Sequence, residues 1–213
     1  MSAADIQAVI FDSDGTLVDT ERLSITVLCE QFGLLGIDVP VDQAVANWAG
    51  RDLHEVLRNV ATESGQTIPD SFLDDFRDRQ LAKLESEVQP IRGAADLLRQ
   101  ITMPKCVASN APVVKVELCL RTTGLLDYFH ADRLFSAYQV NAWKPNPAVF
   151  LHAAKEMGFA PEYCAVVEDS ESGVQAGIAA GMTVFALDPN SKLPAMDGVS
   201  KIKKLTELVG VLT

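Results

Sequence analysis

Five short runs of mostly apolar residues recur along the chain, and each has the length and composition of a strand that is buried on both faces of a sheet. Amphipathic stretches that are typical of helices lie between them. Strands that alternate with helices in this way predict an α/β fold, in which right-handed crossovers build a parallel sheet flanked by helices. The predicted strands span 8–11, 105–109, 133–136, 164–168 and 183–187, and the predicted helices span 94–101, 113–122, 147–157 and 173–180.

A different pattern fills the stretch that follows the first strand. Amphipathic patterns there predict four helices, over 21–32, 41–48, 53–62 and 71–84. We therefore expect two domains: a Rossmann-like catalytic core made of residues 1–17 and 89–213, and a helical cap domain made of residues 18–88. The two connections between these domains, before residue 19 and after residue 88, lie near the same place, and this permits a hinge. The tail from Asp188 should begin as a loop and end as a short helix over 206–212.

Composition and charge exclude several classes of function. The chain has 213 residues with 18 Lys and Arg against 29 Asp and Glu, so its net charge is −11. An acidic chain lacks the basic face that nucleic-acid binding needs, and no apolar run approaches the roughly 18 residues of a membrane span. The N-terminal sequence lacks the features of a signal peptide, and the cysteines read as reduced, buried thiols. We therefore expect a cytoplasmic protein. The cysteines are Cys29, Cys106, Cys119 and Cys164.

Two aspartates follow the first predicted strand, in the segment Asp12-Ser-Asp14-Gly-Thr. Ligands of open parallel sheets bind outside the carboxyl ends of the strands, and residues two apart on an extended segment project to the same side. Two carboxylates that meet are unfavourable unless a cation or a proton lies between them, and Mg²⁺ is the natural partner for such oxygen ligands. The alternative is an ordinary turn, because Asp and Gly favour turns.

Three further polar segments lie at the ends of predicted strands or on a stiff loop. Glu168 and Asp169 end the fourth predicted strand and can supply a missing metal ligand, although an isolated helix cap is the alternative. Ser109 and Asn110 end the second and precede a helix, which suits either an anion site or a plain turn. Lys144 lies on a loop that Pro145 and Pro147 stiffen, so it is either a fixed cation near a phosphoryl group or a solvated lysine.

In the order of the chain, which is 12–16, 109–110, 144–145 and 168–170, these four segments resemble the motifs of the haloacid dehalogenase-like hydrolase superfamily, in its phosphatase branch with a helical cap after the first strand. The resemblance covers essentially the whole chain. Within the superfamily, the segments 134–138 and 143–147 are similar to those of enzymes that dephosphorylate 6-phosphogluconate and related sugar phosphates. The resemblance implies a Mg²⁺-dependent phosphatase that hydrolyses a small phosphorylated metabolite through an aspartyl-phosphate intermediate.

The resemblance also implies a role for each acidic residue. Asp12 would be the nucleophile that attacks phosphorus, and Asp14 the acid and base that protonates the leaving group and then activates water. Mg²⁺ would be held by the Asp12 carboxylate, the Asp14 backbone carbonyl and Asp169, with Glu168 as a ligand or an outer partner.

By the same resemblance, Ser109, Asn110 and Lys144 would bind the phosphoryl oxygens. Arg51 lies where caps of this branch present a specificity loop, so it is a candidate for a substrate carboxylate or hydroxyl; a solvated arginine is the alternative. A third pattern has no chemistry in this interpretation. Gly173, Gly177 and Gly181 repeat every fourth residue, and we interpret them as a surface for close helix packing.

Three other functions stay open. A sugar-phosphate mutase of the β-phosphoglucomutase type has a histidine a few residues beyond the hinge, where this chain has Ser24, which disfavours that activity. A phosphoglycolate-type phosphatase differs only in the substrate that the cap loops select. A non-catalytic metabolite sensor on the same fold is disfavoured because every catalytic position is filled. A monomer is the expected state of the protein.

Overall fold

The computed structural model describes residues 6–49, 51 and 53–212. It divides into two compact units, a core unit of Met1–Asp19 with Gln89–Thr213 and a helical unit of Thr20–Val88. The first boundary lies two residues later than the sequence pattern suggests, because Val18 and Asp19 pair with Pro90 and Gln89 in a short antiparallel ladder of the core unit. Their roles as catalytic core and cap stay predictions.

Strands and helices alternate in the core unit, whereas the helical unit contains helices only among its described residues. The strands are β1 (Ala8–Phe11), β2 (Val18–Asp19), β3 (Gln89–Pro90), β4 (Lys105–Ser109), β5 (Leu134–Ser136), β6 (Cys164–Glu168), β7 (Thr183–Leu187) and β8 (Val199–Ile202). The helices are α1 (Glu21–Leu34), α2 (Val41–Trp48), α3 (Leu53–Ser64), α4 (Phe72–Glu87), α5 (Ala94–Gln100), α6 (Val113–Thr122), α7 (Ala137–Val140), α8 (Ala148–Met157) and α9 (Glu171–Ala179).

The main sheet of the core unit is parallel and has the strand order β5-β4-β1-β6-β7-β8. β1 lies in the middle, because the chain adds β4 and β5 on one side and then returns to add β6 on the other. The central residue Ile10 pairs with Cys106 of β4 and with Val166 of β6, and all three are fully buried. The α/β fold class is therefore confirmed, and the reversal of strand order places a crevice at the carboxyl end of β1.

The end of the chain differs from the sequence prediction. The tail after Asp188 forms a sixth strand of the sheet, β8, and a 3₁₀ turn over Leu205–Leu208 replaces the predicted helix. β8 escaped detection because it is an edge strand: Ser200 and Lys201 are exposed and only Ile202 is buried, so it has no continuous apolar run.

The helical unit has a core of its own. Apolar side chains of α1, α3 and α4 pack together, and Phe32 makes ring contacts with Trp48 and Phe72. The buried Gln31 side chain donates through Nε2 to the Phe72 carbonyl at 2.7 Å, which ties α1 to the start of α4. Within the described residues, no helix of either unit is long and apolar enough to cross a membrane.

Candidate active site

Three of the predicted polar segments meet at the carboxyl edge of the main sheet. Asp12 follows β1, and its backbone N–H continues the ladder by donating to the Val167 carbonyl at 2.9 Å. Ser109 ends β4 and Glu168 ends β6, the two strands that flank β1. The sheet topology therefore brings together residues that are far apart in the sequence, as the motif positions predicted.

Lys144 is the centre of the cluster. Its ammonium group donates to Asp12 Oδ1 at 2.6 Å, to the Ala108 carbonyl at 2.9 Å and to Glu168 Oε1 at 2.9 Å. The residue is only 7% exposed, so it is not a solvated lysine. The Asn110 side chain fixes the loop, because its Oδ1 accepts from the Lys144 backbone N–H at 2.9 Å.

Burial and charge act in opposite directions on this ion pair. Burial raises the pKa of Asp12 from 3.8 to about 7, although the nearby Lys144 ammonium lowers it, and Glu168 raises it further. Burial alone would lower the pKa of Lys144, but the Asp12 and Glu168 carboxylates outweigh burial and raise it. Lys144 therefore stays protonated. In contrast, the charge of Lys144 offsets only part of the rise that burial causes in the pKa of Asp12.

Glu168 is fixed through both carboxylate oxygens. Oε1 accepts from Lys144, and Oε2 accepts from the Ser170 backbone N–H at 2.7 Å and from the Ser170 hydroxyl at 2.9 Å. Ser170 also begins α9, since its Oγ accepts from the Gly173 backbone N–H at 3.1 Å. Ser170 thus caps α9 and also fixes the carboxylate of Glu168.

Asp169 lies beside the first motif. Its Oδ1 accepts from the Thr16 hydroxyl at 2.9 Å. Gly15 has a φ of +85°, and a Cβ atom there would lie 2.1 Å from Asp169 Oδ2, so both the turn and the close carboxylate require glycine. Burial raises the pKa of Asp169 well above its ordinary value, and the charges of Glu168 and Asp12 add to that effect.

These acids fit a divalent cation. Asp12, Glu168 and Asp169 each offer a carboxylate oxygen, and those atoms lie within 4.8 Å of one another. Burial raises the pKa of Asp12 and of Asp169, and the charge of Glu168 adds to the effect on both, so the three acids are unfavourable together without a further cation. A hard divalent cation would balance their charge and accept the same oxygens as ligands.

Asp14 has a cationic partner that the sequence analysis missed. Its Oδ2 accepts from the Lys115 ammonium at 2.9 Å, and the two side chains are partly buried. Lys115 lies in the first turn of α6, where a cation opposes the helix dipole and is unfavourable without a nearby anion. This unfavourable position of Lys115 was a sequence signal for a nearby anion, because α6 starts at the edge of the sheet that carries the motifs.

The Ser109–Asn110 segment is ordered by its own side chains. The Ser109 hydroxyl accepts from the Ala111 backbone N–H at 3.0 Å, and the hydroxyl of Ser136, at the end of β5, donates to the Ala111 carbonyl at 2.7 Å. Ser136 is a second residue that the sequence analysis did not single out. Together these bonds form a fixed loop between β4 and α6, next to the Lys144 loop.

The glycine pattern of α9 is only partly a packing surface. A Cβ atom at Gly177 would lie 2.8 Å from Val184, which agrees with close packing on the sheet. The prediction is wrong for Gly181, which lies beyond α9 with a φ of +74° and open space around it. It is also wrong for Gly173, where a Cβ atom would lie 1.7 Å from Glu168 Oε1; this glycine makes room for the acid.

Arg51 belongs to the helical unit. It forms an ion pair of 3.7 Å with Glu55, and both side chains are about half exposed. Two cavities of about 440 and 370 Å³ lie within this unit, and Arg51 lines both together with Trp48 and Val56. The arginine is thus available to a ligand in either cavity.

Comparison with known proteins adds sequence relatives and structural neighbours. The family model described as haloacid dehalogenase-like hydrolase matches residues 6–181. The chain is 38% identical over 206 residues to the 6-phosphogluconate phosphatase of Escherichia coli, covering 95% of this chain and 93% of that protein. It is 28% identical over 176 residues to the fructose-1-phosphate phosphatase of the same organism, covering 82% and 92%.

Among solved structures, the chain is similar to a haloacid dehalogenase family hydrolase from Deinococcus radiodurans with bound phosphate and sodium. The TM-score is 0.81 at 29% sequence identity, over 99% of each chain. The structural neighbour and the sequence relatives therefore indicate the same family.

Proposed function

Since the chain belongs to the haloacid dehalogenase-like hydrolase family and is one of its phosphatases, we propose that it hydrolyses a small sugar phosphate or sugar-acid phosphate, with 6-phosphogluconate as the first candidate. The 38% identity to a 6-phosphogluconate phosphatase spans nearly the full length of both proteins, which supports this substrate class. The similarity to a fructose-1-phosphate phosphatase supports the broader class of sugar phosphates.

Asp12 is the proposed nucleophile. Its Oδ1 is held by Lys144, so Oδ2 is the oxygen that we assign to attack. In the first step Oδ2 forms a bond to phosphorus, and the bond between phosphorus and the sugar oxygen breaks. In the second step water attacks the aspartyl-phosphate, which releases phosphate and regenerates the Asp12 carboxylate.

Asp14 is the proposed acid and base. It gives its proton to the leaving sugar oxygen and then takes one from the attacking water. Its ion pair with Lys115 holds the carboxylate in one orientation, which keeps it directed at the reaction rather than free to rotate. Lys115 is thus a positioning residue for Asp14.

Asp12 and Asp169 would hold Mg²⁺, with the Asp14 carbonyl as a third ligand and Glu168 as a ligand or outer partner. When bound, the ion supplies charge that offsets the repulsion between the phosphoryl group and the acids. Lys144 also supplies positive charge at the site, and its ion pairs fix the carboxylates of Asp12 and Glu168 at once.

Ser109 and Asn110 are the proposed contacts of the phosphoryl oxygens, and Lys144 would attract them through its charge, because its three N–H groups donate to Asp12, Ala108 and Glu168. The Ser109 hydroxyl and the Asn110 amide are polar donors on a loop that their own hydrogen bonds hold in place. A pre-ordered loop loses little conformational entropy when the phosphoryl group binds.

We assign substrate choice to the helical unit, in the role of a cap. Arg51 carries a guanidinium group whose only described ion pair is a long one with Glu55. A guanidinium binds a carboxylate with two parallel hydrogen bonds. A sugar acid offers a carboxylate that a neutral sugar lacks, so Arg51 would favour 6-phosphogluconate over neutral sugar phosphates.

The observation that carries this proposal is the convergence of Asp12, Glu168 and Asp169 around the buried Lys144. The test measures phosphate release from a panel of sugar phosphates, with and without Mg²⁺ after treatment with a chelator. We expect turnover with 6-phosphogluconate that depends on Mg²⁺ and falls by at least about 10⁴-fold in Asp12→Asn. Full activity of that variant, or of the metal-free enzyme, would contradict the mechanism.

Two arms of the panel address the other enzymatic candidates. Glucose 1-phosphate incubated with a bisphosphate primer should yield free phosphate; a rearranged sugar phosphate would identify a mutase. In the helical unit Ser24 donates to the Thr20 carbonyl and accepts from Gln80 Nε2, so a hydroxyl occupies the position of the mutase histidine. Preference for phosphoglycolate over every sugar phosphate would identify the third candidate. Light scattering at a mass of 23.0 kDa would confirm the proposed monomer.

A further inference from the structure

A second polar cavity lies in the core unit, apart from the acidic cluster. It has a volume of about 410 Å³ and lies between the start of α5 and the segment that follows β8. Its lining includes the cations Arg92, Lys203 and Lys204 and the hydroxyl-bearing Thr206. Three positive charges on one cavity are unexpected in a chain with a net charge of −11.

The side chains of these three cations form no ion pair in the part of the chain that the structure describes, and the nearby Glu207 carboxylate accepts from the backbone N–H of Lys203. The acidic residue among the described lining residues is Asp96, and its carboxylate pairs with Arg99 at 3.2 Å. Like charges that line one cavity repel one another, so the arrangement favours an anion between them.

The backbone that presents the cations is fixed. Leu205, next to Lys204, is fully buried, and Gly93 has a φ of +88° with room only for its hydrogen, since a Cβ atom there would lie 2.9 Å from the Thr206 methyl group. The Lys203 backbone N–H donates to Glu207 Oε1 at 3.1 Å. Both walls of the cavity are therefore held close together without the ligand.

We propose that this cavity binds the phosphoryl dianion of a small molecule at a site separate from Asp12. A guanidinium binds two phosphoryl oxygens at once, lysines add point charges, and a threonine hydroxyl adds a neutral donor. A volume of about 410 Å³ exceeds what free phosphate fills and falls within the range of small-molecule sites.

The sheet order keeps the two sites apart. Leu187 of β7 lines the cavity, and β7 is two strands from β1, which corresponds to about 10 Å along the sheet. None of the described lining residues belongs to the acidic cluster. The proposal therefore does not depend on the proposed substrate or mechanism.

Solution NMR of the full chain tests the proposal, with inorganic phosphate and the non-hydrolysable monoester analogue phenylphosphonate as probes. We expect saturable shifts of the backbone amides of Gly93, Lys204 and Thr206, and none with chloride at matched ionic strength. The triple variant Arg92→Gln, Lys203→Gln, Lys204→Gln should raise the dissociation constant at least about tenfold.

A control variant removes the same charge elsewhere. Arg58, Arg79 and Lys155 are exposed, form no ion pair among the described residues and line none of the three cavities considered. Their triple change to Gln should leave both dissociation constants unchanged. Equal losses in the two triple variants would overturn the site, because they would show attraction by net charge alone.

The two probes distinguish the sources of the phosphoryl group. Tighter binding of phenylphosphonate supports an organic phosphate, and equal binding supports free phosphate; either agrees with the proposed chemistry. Absence of saturable shifts in the native protein with both probes would overturn the proposal without a variant. Shifts at Asn110 report the proposed catalytic site in the same spectra, so the failure of one site is distinct from the failure of the other.

Discussion

The core unit and the helical unit use charged residues in different ways. In the core unit, Lys144 and its partners Asp12 and Glu168 are buried, and the bond between Lys144 and Asp12 joins residues 132 positions apart. In the helical unit the ion pairs are at least partly exposed, and that of Arg51 with Glu55 joins neighbouring turns of chain. Buried groups that share hydrogen bonds depend on one another, whereas exposed pairs contribute little to stability.

Two helical glycines show the same contrast. Gly173 of α9 has no room for a side chain, because the Glu168 carboxylate fills the space. Gly33 of α1 has nothing within 4 Å of a Cβ atom. The chain thus tolerates little change beside the acids of the core unit, whereas the exposed end of α1 in the helical unit has room for a side chain.

In the core unit, Asp14→Asn should have the largest effect after that of Asp12→Asn. This change removes the proposed acid and base, so we expect kcat to fall by about 10²–10⁴-fold with little change in the melting temperature. Steady-state phosphate release measures it. Asp127→Asn removes an exposed carboxylate of the same unit and should keep full activity. An Asp14→Asn enzyme as active as that control would remove Asp14 from the mechanism.

Metal and pH should act together on the core unit. The pKa of Asp12 rises from 3.8 to about 7 on folding, so the folded metal-free chain holds an extra proton between these values. Its stabilising effect is complete below 3.8 and is lost as the pH rises through about 7. Since Mg²⁺ binds the ionised acids, it should restore stability mainly at high pH.

Thermal or urea unfolding with and without Mg²⁺ measures this linkage. At about 100 times its dissociation constant, Mg²⁺ should add about 2.7 kcal/mol to the free energy of unfolding at about pH 8. The gain should be much smaller at about pH 5.5, where protons compete for the acids. Equal gains at both values would show that Mg²⁺ binds elsewhere.

The two glycines provide a direct test of the contrast between the units. Gly173→Ala should destabilise the protein by about 1–3 kcal/mol, because the new methyl group displaces Glu168 from its bonds to Lys144 and Ser170. Gly33→Ala should stabilise it by up to about 0.5–1 kcal/mol, because Gly33 lies in the exposed last turn of α1 and a methyl group there meets nothing. Urea unfolding measures both, and the same sign for both changes would contradict the difference between the units.

The smallest effect on catalysis should come from the helical unit. Arg51→Ala should raise KM for 6-phosphogluconate about tenfold and leave kcat nearly unchanged, because one charged contact to the substrate is lost. KM for p-nitrophenyl phosphate, which lacks a carboxylate, should not change. Arg58→Ala removes an exposed arginine of α3 and serves as the control. A drop in kcat instead of a rise in KM would contradict substrate recognition by Arg51.

The strands of the core unit could be predicted because each has a clear sequence signal. β1, β4, β6 and β7 are almost entirely buried, so their residues are apolar in an unbroken run, and the structure places them at the predicted residues. β8 has two exposed polar residues in its middle, Ser200 and Lys201, so its sequence is that of a polar loop. Among the helices, α2 and α6 match the predicted bounds, while α4 continues to Glu87.

The sequence by itself determined the order of the buried strands and of the longer helices and the position of acids at strand ends, because burial and backbone geometry act on neighbouring residues. Only the tertiary structure decided the contacts of the acids. Lys144 could be recognised as a fixed cation, but not as one that binds Asp12 and Glu168 at once, and the partnership of Lys115 with Asp14 has a separation of 101 residues. Such pairs depend on side-chain positions set by the whole sheet, which no local pattern encodes.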